Sequence, residues 1–175
     1  MATPLTMAPQ PESASRPDSE FDLWQRFLDS RDALTAKMSM ETCNGCDGCG
    51  LRCMDGFKVS RAEREAVEAY LRTQPPSEVR RIEVQNKVVP WPGAEDTGVT
   101  VTFCRYRDME NGRCSVYSAR PTVCRLFGHT PWLPCPIEAI PAVPEGSSEL
   151  WHEYLQFERQ TWEDWEAEDG LKEIP

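Results

Sequence analysis

At 175 residues and 39% hydrophobic, with six Trp and six Phe, the chain suits one domain that buries about two thirds of its unfolded surface. Nineteen basic residues against 29 acidic ones give a formal net charge of −10, which argues against binding a nucleic-acid backbone or an anionic membrane. A partner selected by charge is therefore expected to be a protein with a basic surface meeting an acidic one here.

Residues 1–19, rich in Pro, Ser, Ala and Thr, read as a flexible tail. The segment has neither the apolar core of a signal peptide nor the basic amphipathic pattern of a transit sequence, and no later run is long enough to span a bilayer. The expected location is the cytoplasm, where thiols stay reduced. Residues 20–169 read as one domain and 170–175 as a C-terminal tail. From Glu20 to about Met38, Phe21, Trp24, Phe27, Leu28 and Leu34 recur at helical spacing, with Asp18 or Ser19 as the cap.

The next stretch organises the chain: Cys43-Asn-Gly-Cys46-Asp-Gly-Cys49-Gly-Leu-Arg-Cys53. Gaps of two, two and three residues leave no room for an apolar helix or strand. They suit a backbone wrapped round an inorganic centre, with glycines letting the main chain approach the sulfurs.

Ser60-Arg-Ala-Glu63 is a capping box opening a helix to about Gln74, with Ala66, Val67, Tyr70 and Leu71 as its buried stripe and Pro75-Pro76 as its end. Residues 79–91 read as a weak strand or hairpin around Asn86-Lys87. Val99, Val101 and Phe103 alternate with threonines up to Cys104. Asn111-Gly112 then turns the chain into a return strand over Arg113–Tyr117, which sets Cys114 near Cys104. Ser118-Ala-Arg-Pro121 starts a short helix carrying Cys124 and closed by Gly128. Residues 129–146 are Pro-punctuated and hold Cys135-Pro136. A last helix from Ser147 or Ser148 to about Asp169 carries Trp151, Tyr154, Leu155, Trp162 and Trp165 on one face and acid on the other.

Together these elements predict an α+β fold: a small, loop-rich metal-binding domain with a short antiparallel hairpin and flanking helices. Eight cysteines in a reducing compartment favour metal ligation over disulfides, so Cys43, Cys46, Cys49, Cys53, Cys104, Cys114, Cys124 and Cys135 are the expected ligands. Beside them, Arg120, Arg125 and His129 are the residues placed to influence the sulfurs. The two-two-three spacing is similar to the cluster run of bacterial ferredoxins, in which three close thiolates share a cubane with a remote Cys-Pro. On that analogy Cys43, Cys46, Cys49 and a distant cysteine such as Cys135 hold one centre, and Cys53 with the other three holds a second. Zinc prefers paired Cys-x2-Cys units, and only the first half supplies one. A four-iron cluster is therefore favoured and zinc is the alternative.

The Cys46-Asp-Gly-Cys49 loop and the block Cys114-Ser-Val-Tyr117-Ser-Ala-Arg120-Pro121-Thr-Val-Cys124-Arg125 resemble the YkgJ-type cysteine-cluster proteins. That resemblance covers roughly residues 40–136 and implies a zinc- or iron-chelating domain with eight shared cysteines. The family typically ends its first cluster with two adjacent cysteines, whereas three residues separate Cys49 from Cys53 here. No nucleotide-binding or hydrolytic motif is present, and the expected role is electron carrier or metal-bearing accessory protein. The alternative is a zinc-stabilised interaction module without redox activity.

Overall fold

The computed structural model describes residues 19–38, 48–91, 93–137 and 144–172. Among them are six α-helices and one two-stranded antiparallel sheet, a mixed α+β domain. None of these helices is long and apolar enough to cross a membrane. The tail read over 1–19 lies outside the described residues except for Ser19.

Helix α1 spans Glu20–Lys37 and opens on a capping box: Asp22 N–H donates to Ser19 Oγ at 3.2 Å, and Ser19 N–H donates to the Asp22 carboxylate at 3.1 Å. Its buried stripe is narrower than its sequence suggests, with Phe27 and Leu34 enclosed and Phe21 exposed. Helix α2, Arg61–Arg72, opens on the Ser60–Glu63 box as expected. Val67 is buried and Tyr70 and Leu71 are half-buried, but Ala66 faces solvent and Glu63 takes its place inside.

Pro75 and Pro76 do more than end α2. Their fixed φ suits the cap and first turn of a helix, and α3 follows at Pro76–Glu83, so Val79–Glu83 is helical where the sequence suggested strand or hairpin. Strand β1 (Val88–Pro90) pairs with β2 (Thr100–Thr102) in the register Val88↔Thr102, Val89↔Val101 and Pro90↔Thr100. The partner of β2 is thus the chain before it. Residues 113–117 form no strand; a single bridge, Arg107↔Cys114, closes a turn there. Buried Asp108 knots that turn, accepting hydrogen bonds from Arg81 (2.7 Å), Asn111 (2.8 Å), Gln85 (3.0 Å) and Glu110 N–H (3.0 Å). The Arg81 guanidinium holds its carboxyl well below the usual carboxylate range.

Helix α4 is one turn, Thr122–Arg125, and carries Cys124. The long last helix expected from the Trp and Tyr pattern is two helices: α5 at Ser147–Tyr154 and α6 at Trp162–Lys172. The reason is that its apolar residues serve two cores. Leu150 and Tyr154 pack with Phe27, Leu34, Met38, Val123 and Leu126, whereas Trp162 and Trp165 pack with Val59, Val67 and Val116. To reach the second core the chain leaves helix after Tyr154 and exchanges backbone hydrogen bonds between Gln160 and Val59 at 2.9 and 3.0 Å. Thr161 Oγ1 then accepts from Asp164 N–H and restarts the helix. Trp165 Nε1–H donates to Val59 O at 2.9 Å, fastening α6 at the same place. The acid of α6 is largely engaged: Glu168 and Asp169 pair with Arg61, Asp169 also with Arg64, and Glu163 and Glu166 with Arg105.

Candidate metal centre

Backbone register brings the first pair of thiols together. Met54 bridges Phe103 in antiparallel sense, so Cys53 and Cys104 stand directly opposite, with Cys104 N–H donating to Cys53 O at 2.9 Å. On the other edge of the same segment, Phe103 N–H donates to Lys87 O at 2.9 Å. The turn knotted by Asp108 returns Cys114 towards Cys104, and α4 carries Cys124 near both.

These four sulfurs feel one another. The Cys104 thiol is pushed well up, first by its hydrogen bond with Cys53 and then by burial. Burial pushes Cys114 up to about 11. Cys124 is pushed well up by burial and by the neighbouring Cys104 and Cys114. Thiols so placed resist ionising as a group, and a bound cation is what makes their thiolates favourable. In donor chemistry, Cys53, Cys104, Cys114 and Cys124 therefore fit a thiophilic metal or cluster. Among the described residues, no three His, Cys, Asp or Glu side chains already stand at single-ion coordination distance.

The other expected ligands fall elsewhere. Cys43 and Cys46 lie outside the described residues. Cys49 is exposed on a 3-10 turn, Gly48–Arg52. Gly48 abuts Ile137, where a Cβ would lie 3.3 Å from the side chain, and Ile137 is two residues past Cys135. The turn that carries Cys49 is thus beside the segment that carries Cys135.

The three neighbours proposed from sequence occupy different positions. Arg120 stacks over Tyr117 at 4.0 Å, and its charge pulls the Cys114 and Cys124 thiols down against burial. Arg125 instead braces the backbone, donating from Nη2 to Ser118 O (2.8 Å) and from Nε to Arg120 O (3.0 Å). His129 is buried, and burial holds its imidazole below its ordinary pKa, so it is neutral at pH 7.

Three further residues take long-range roles that no motif announces. Glu63 reads as a helix cap. In the fold it also accepts from Thr122 N–H (2.7 Å), at the start of the Cys124 helix, and from Tyr154 Oη–H (2.6 Å) on α5. Burial, followed by the Glu63 carboxylate, pushes the Tyr154 phenol up. Lys87 donates to Arg107 O, and Cys104 and Cys53 favour its charge while burial opposes it. Arg107 donates to Gly50 O and lies 4.3 Å over the Phe103 ring, clasping the cysteine loop to the strand that leads to Cys104. Residue 50 must be glycine, because a Cβ there would overlap Gly112 O and the Arg107 guanidinium. Gly50→Ala is expected to destabilise the fold by about 1–3 kcal/mol, measured by chemical denaturation, because backbone cannot yield as a side-chain tip can.

A small α+β fold with buried, mutually coupled thiols belongs to the class of cysteine-rich chelating domains. A family model, CxxCxxCC, described as "Putative zinc- or iron-chelating domain", matches residues 43–159. The match covers two thirds of the chain, and the chain belongs to this family. It extends beyond the 40–136 resemblance to take in α5. No solved structure matches the chain. Where the family name has adjacent cysteines, this chain inserts Gly50–Arg52, and that insert forms most of the 3-10 turn whose close places Cys53 opposite Cys104.

Proposed function

We propose that the protein carries iron–sulfur on its cysteines and works as an electron carrier or metal-bearing accessory protein in a reducing compartment. The observation that carries this reading is the convergence on Cys104. Cys53, Cys114 and Cys124 adjoin it from three separate elements, and Cys43, Cys46, Cys49 and Cys135 are the thiols left for the second centre that the spacing suggests. When bound, such clusters supply one-electron transfer without moving atoms. The chain's own residues set the charge around them: Arg120 faces Cys114 and Cys124, Lys87 faces Cys53 and Cys104, and hydrophobic cores on either side exclude water. A basic protein surface is the partner expected on charge grounds.

A zinc-stabilised interaction module is the second reading, favoured by Cys53 and Cys104 standing directly opposite on paired backbone, as two ligands of one small ion would. Anaerobic purification with iron, zinc and sulfide analysis decides between them. Iron–sulfur gives brown protein with absorption near about 400 nm and acid-labile sulfide. Colourless protein with stoichiometric zinc and no sulfide rejects the first reading in favour of the second.

A further inference from the structure

A cleft of about 310 Å³ runs between α2, α3 and the segment that leads from Cys104 to Cys114. Leu71 and Val79 line its helical side, Tyr106 lies across from them, and Cys114 forms part of its wall. Cys104, by contrast, is 4% exposed, sealed behind the strand. The cleft therefore runs from solvent to one of the four cysteines.

Its charges are unequal in availability. Arg105, also in the wall, is paired with Glu163 and Glu166 of α6. Glu78 is paired with Arg81 at 2.7 Å. Glu83, at the exposed end of α3, makes no ion pair among the described residues, so its carboxylate acts on whatever enters. A divalent ion with six waters, at about 30 Å³ each, needs about 180 Å³ and fits this space.

We propose that the cleft is the route by which a divalent metal ion reaches the buried thiols, with Glu83 drawing it in and Cys114 the sulfur that meets it first. The proposal rests on the reading of Cys53, Cys104, Cys114 and Cys124 as ligands of one centre. At first contact a sulfur lone pair of Cys114 replaces a water on the ion, and the S–H proton passes to water in the cleft. The remaining thiols then displace further waters from inside.

The test is uptake of Cd²⁺ by the reduced, metal-stripped full chain, its fold checked by circular dichroism. Stopped-flow ultraviolet absorption of the cadmium–thiolate bonds follows the reaction. Val79→Trp, which fills the cleft, is expected to slow uptake about tenfold or more with the end point unchanged. Glu83→Gln is expected to slow it about threefold at low salt, with the difference vanishing at high salt. Val99→Trp, on an exposed site away from the cleft, is expected to load at the wild-type rate. Wild-type rates for both Val79→Trp and Glu83→Gln overturn the route and leave the ligand reading standing. If stripped wild-type protein takes up no Cd²⁺, the ligand reading falls and the route with it. Should Val79→Trp misfold, the surface variant Glu83→Gln decides alone.

Discussion

Cys104→Ser protein is expected to retain one centre's worth of metal where wild type retains two, read as metal per chain by mass spectrometry after anaerobic purification. Cys104 is the cysteine that the others adjoin: it stands opposite Cys53 on paired backbone, and its charge raises the Cys114 and Cys124 thiols. Serine has nearly the same shape, but its hydroxyl is a poor ligand for a thiophilic metal, so the fold is disturbed less than the chemistry. Cys124→Ser should reproduce the loss, Cys135→Ser should remove the other half, and the Cys104→Ser/Cys135→Ser double variant should retain none. Full metal in Cys104→Ser would show that the four thiols are not a ligand set. The stability effect is also large. Structural zinc contributes about 10–16 kcal/mol of apparent binding energy, against about 5–15 kcal/mol of net stability for a whole domain. Chelation should therefore lower the midpoint of chemical denaturation of the wild type, while its two hydrophobic cores keep the stripped chain folded.

Glu63→Ala is expected to cost about 3 kcal/mol or more in chemical denaturation, because it strands three buried donors at about 1–3 kcal/mol each. Those donors are Ser60 N–H, Thr122 N–H and the Tyr154 hydroxyl, on three different elements. Tyr154→Phe removes one bond and leaves the carboxylate its backbone partners, so it should cost about 1–2 kcal/mol. The two effects should not add, since both act on the same bond. Loss of Glu63 also frees the first residue of the Cys124 helix, and metal retention should fall along with stability. A Glu63→Ala protein as stable as wild type would reduce this carboxylate to a simple helix cap.

Local signals were legible in the sequence wherever cause and effect lie within a few residues. Ser19 and Ser60 cap their helices because the capping box is written at a spacing of three. The Asn111-Gly112 turn forms, with Gly112 at φ +75°, because few other residues tolerate that backbone. The errors came where distant partners decided. The strand expected at 113–117 lost its place beside β2 to β1, an earlier segment whose short Val-Val-Pro run says little alone. The break after Tyr154 has neither Pro nor Gly to mark it, being set by Val59 nearly a hundred residues away. At the candidate centre, the cysteines announced themselves by type and spacing. Glu63 is legible only as a helix cap, and Lys87 and Arg107 not at all, because their long-range partners at Thr122, Tyr154, Arg107 and Gly50 are set by the fold.

The pairing of Val59 with Gln160 also bears on how the protein comes off the ribosome. Cys53 and the start of α2 emerge long before Trp162 and Trp165 exist to cover Val59 and Val67. At about 5–20 residues per second the nascent thiol segment spends several seconds without its second core. Closure of that core is a late, non-local event of the kind that slows folding. Until α6 is made, the segment that carries Cys53 has only one of the two cores it ends up beside.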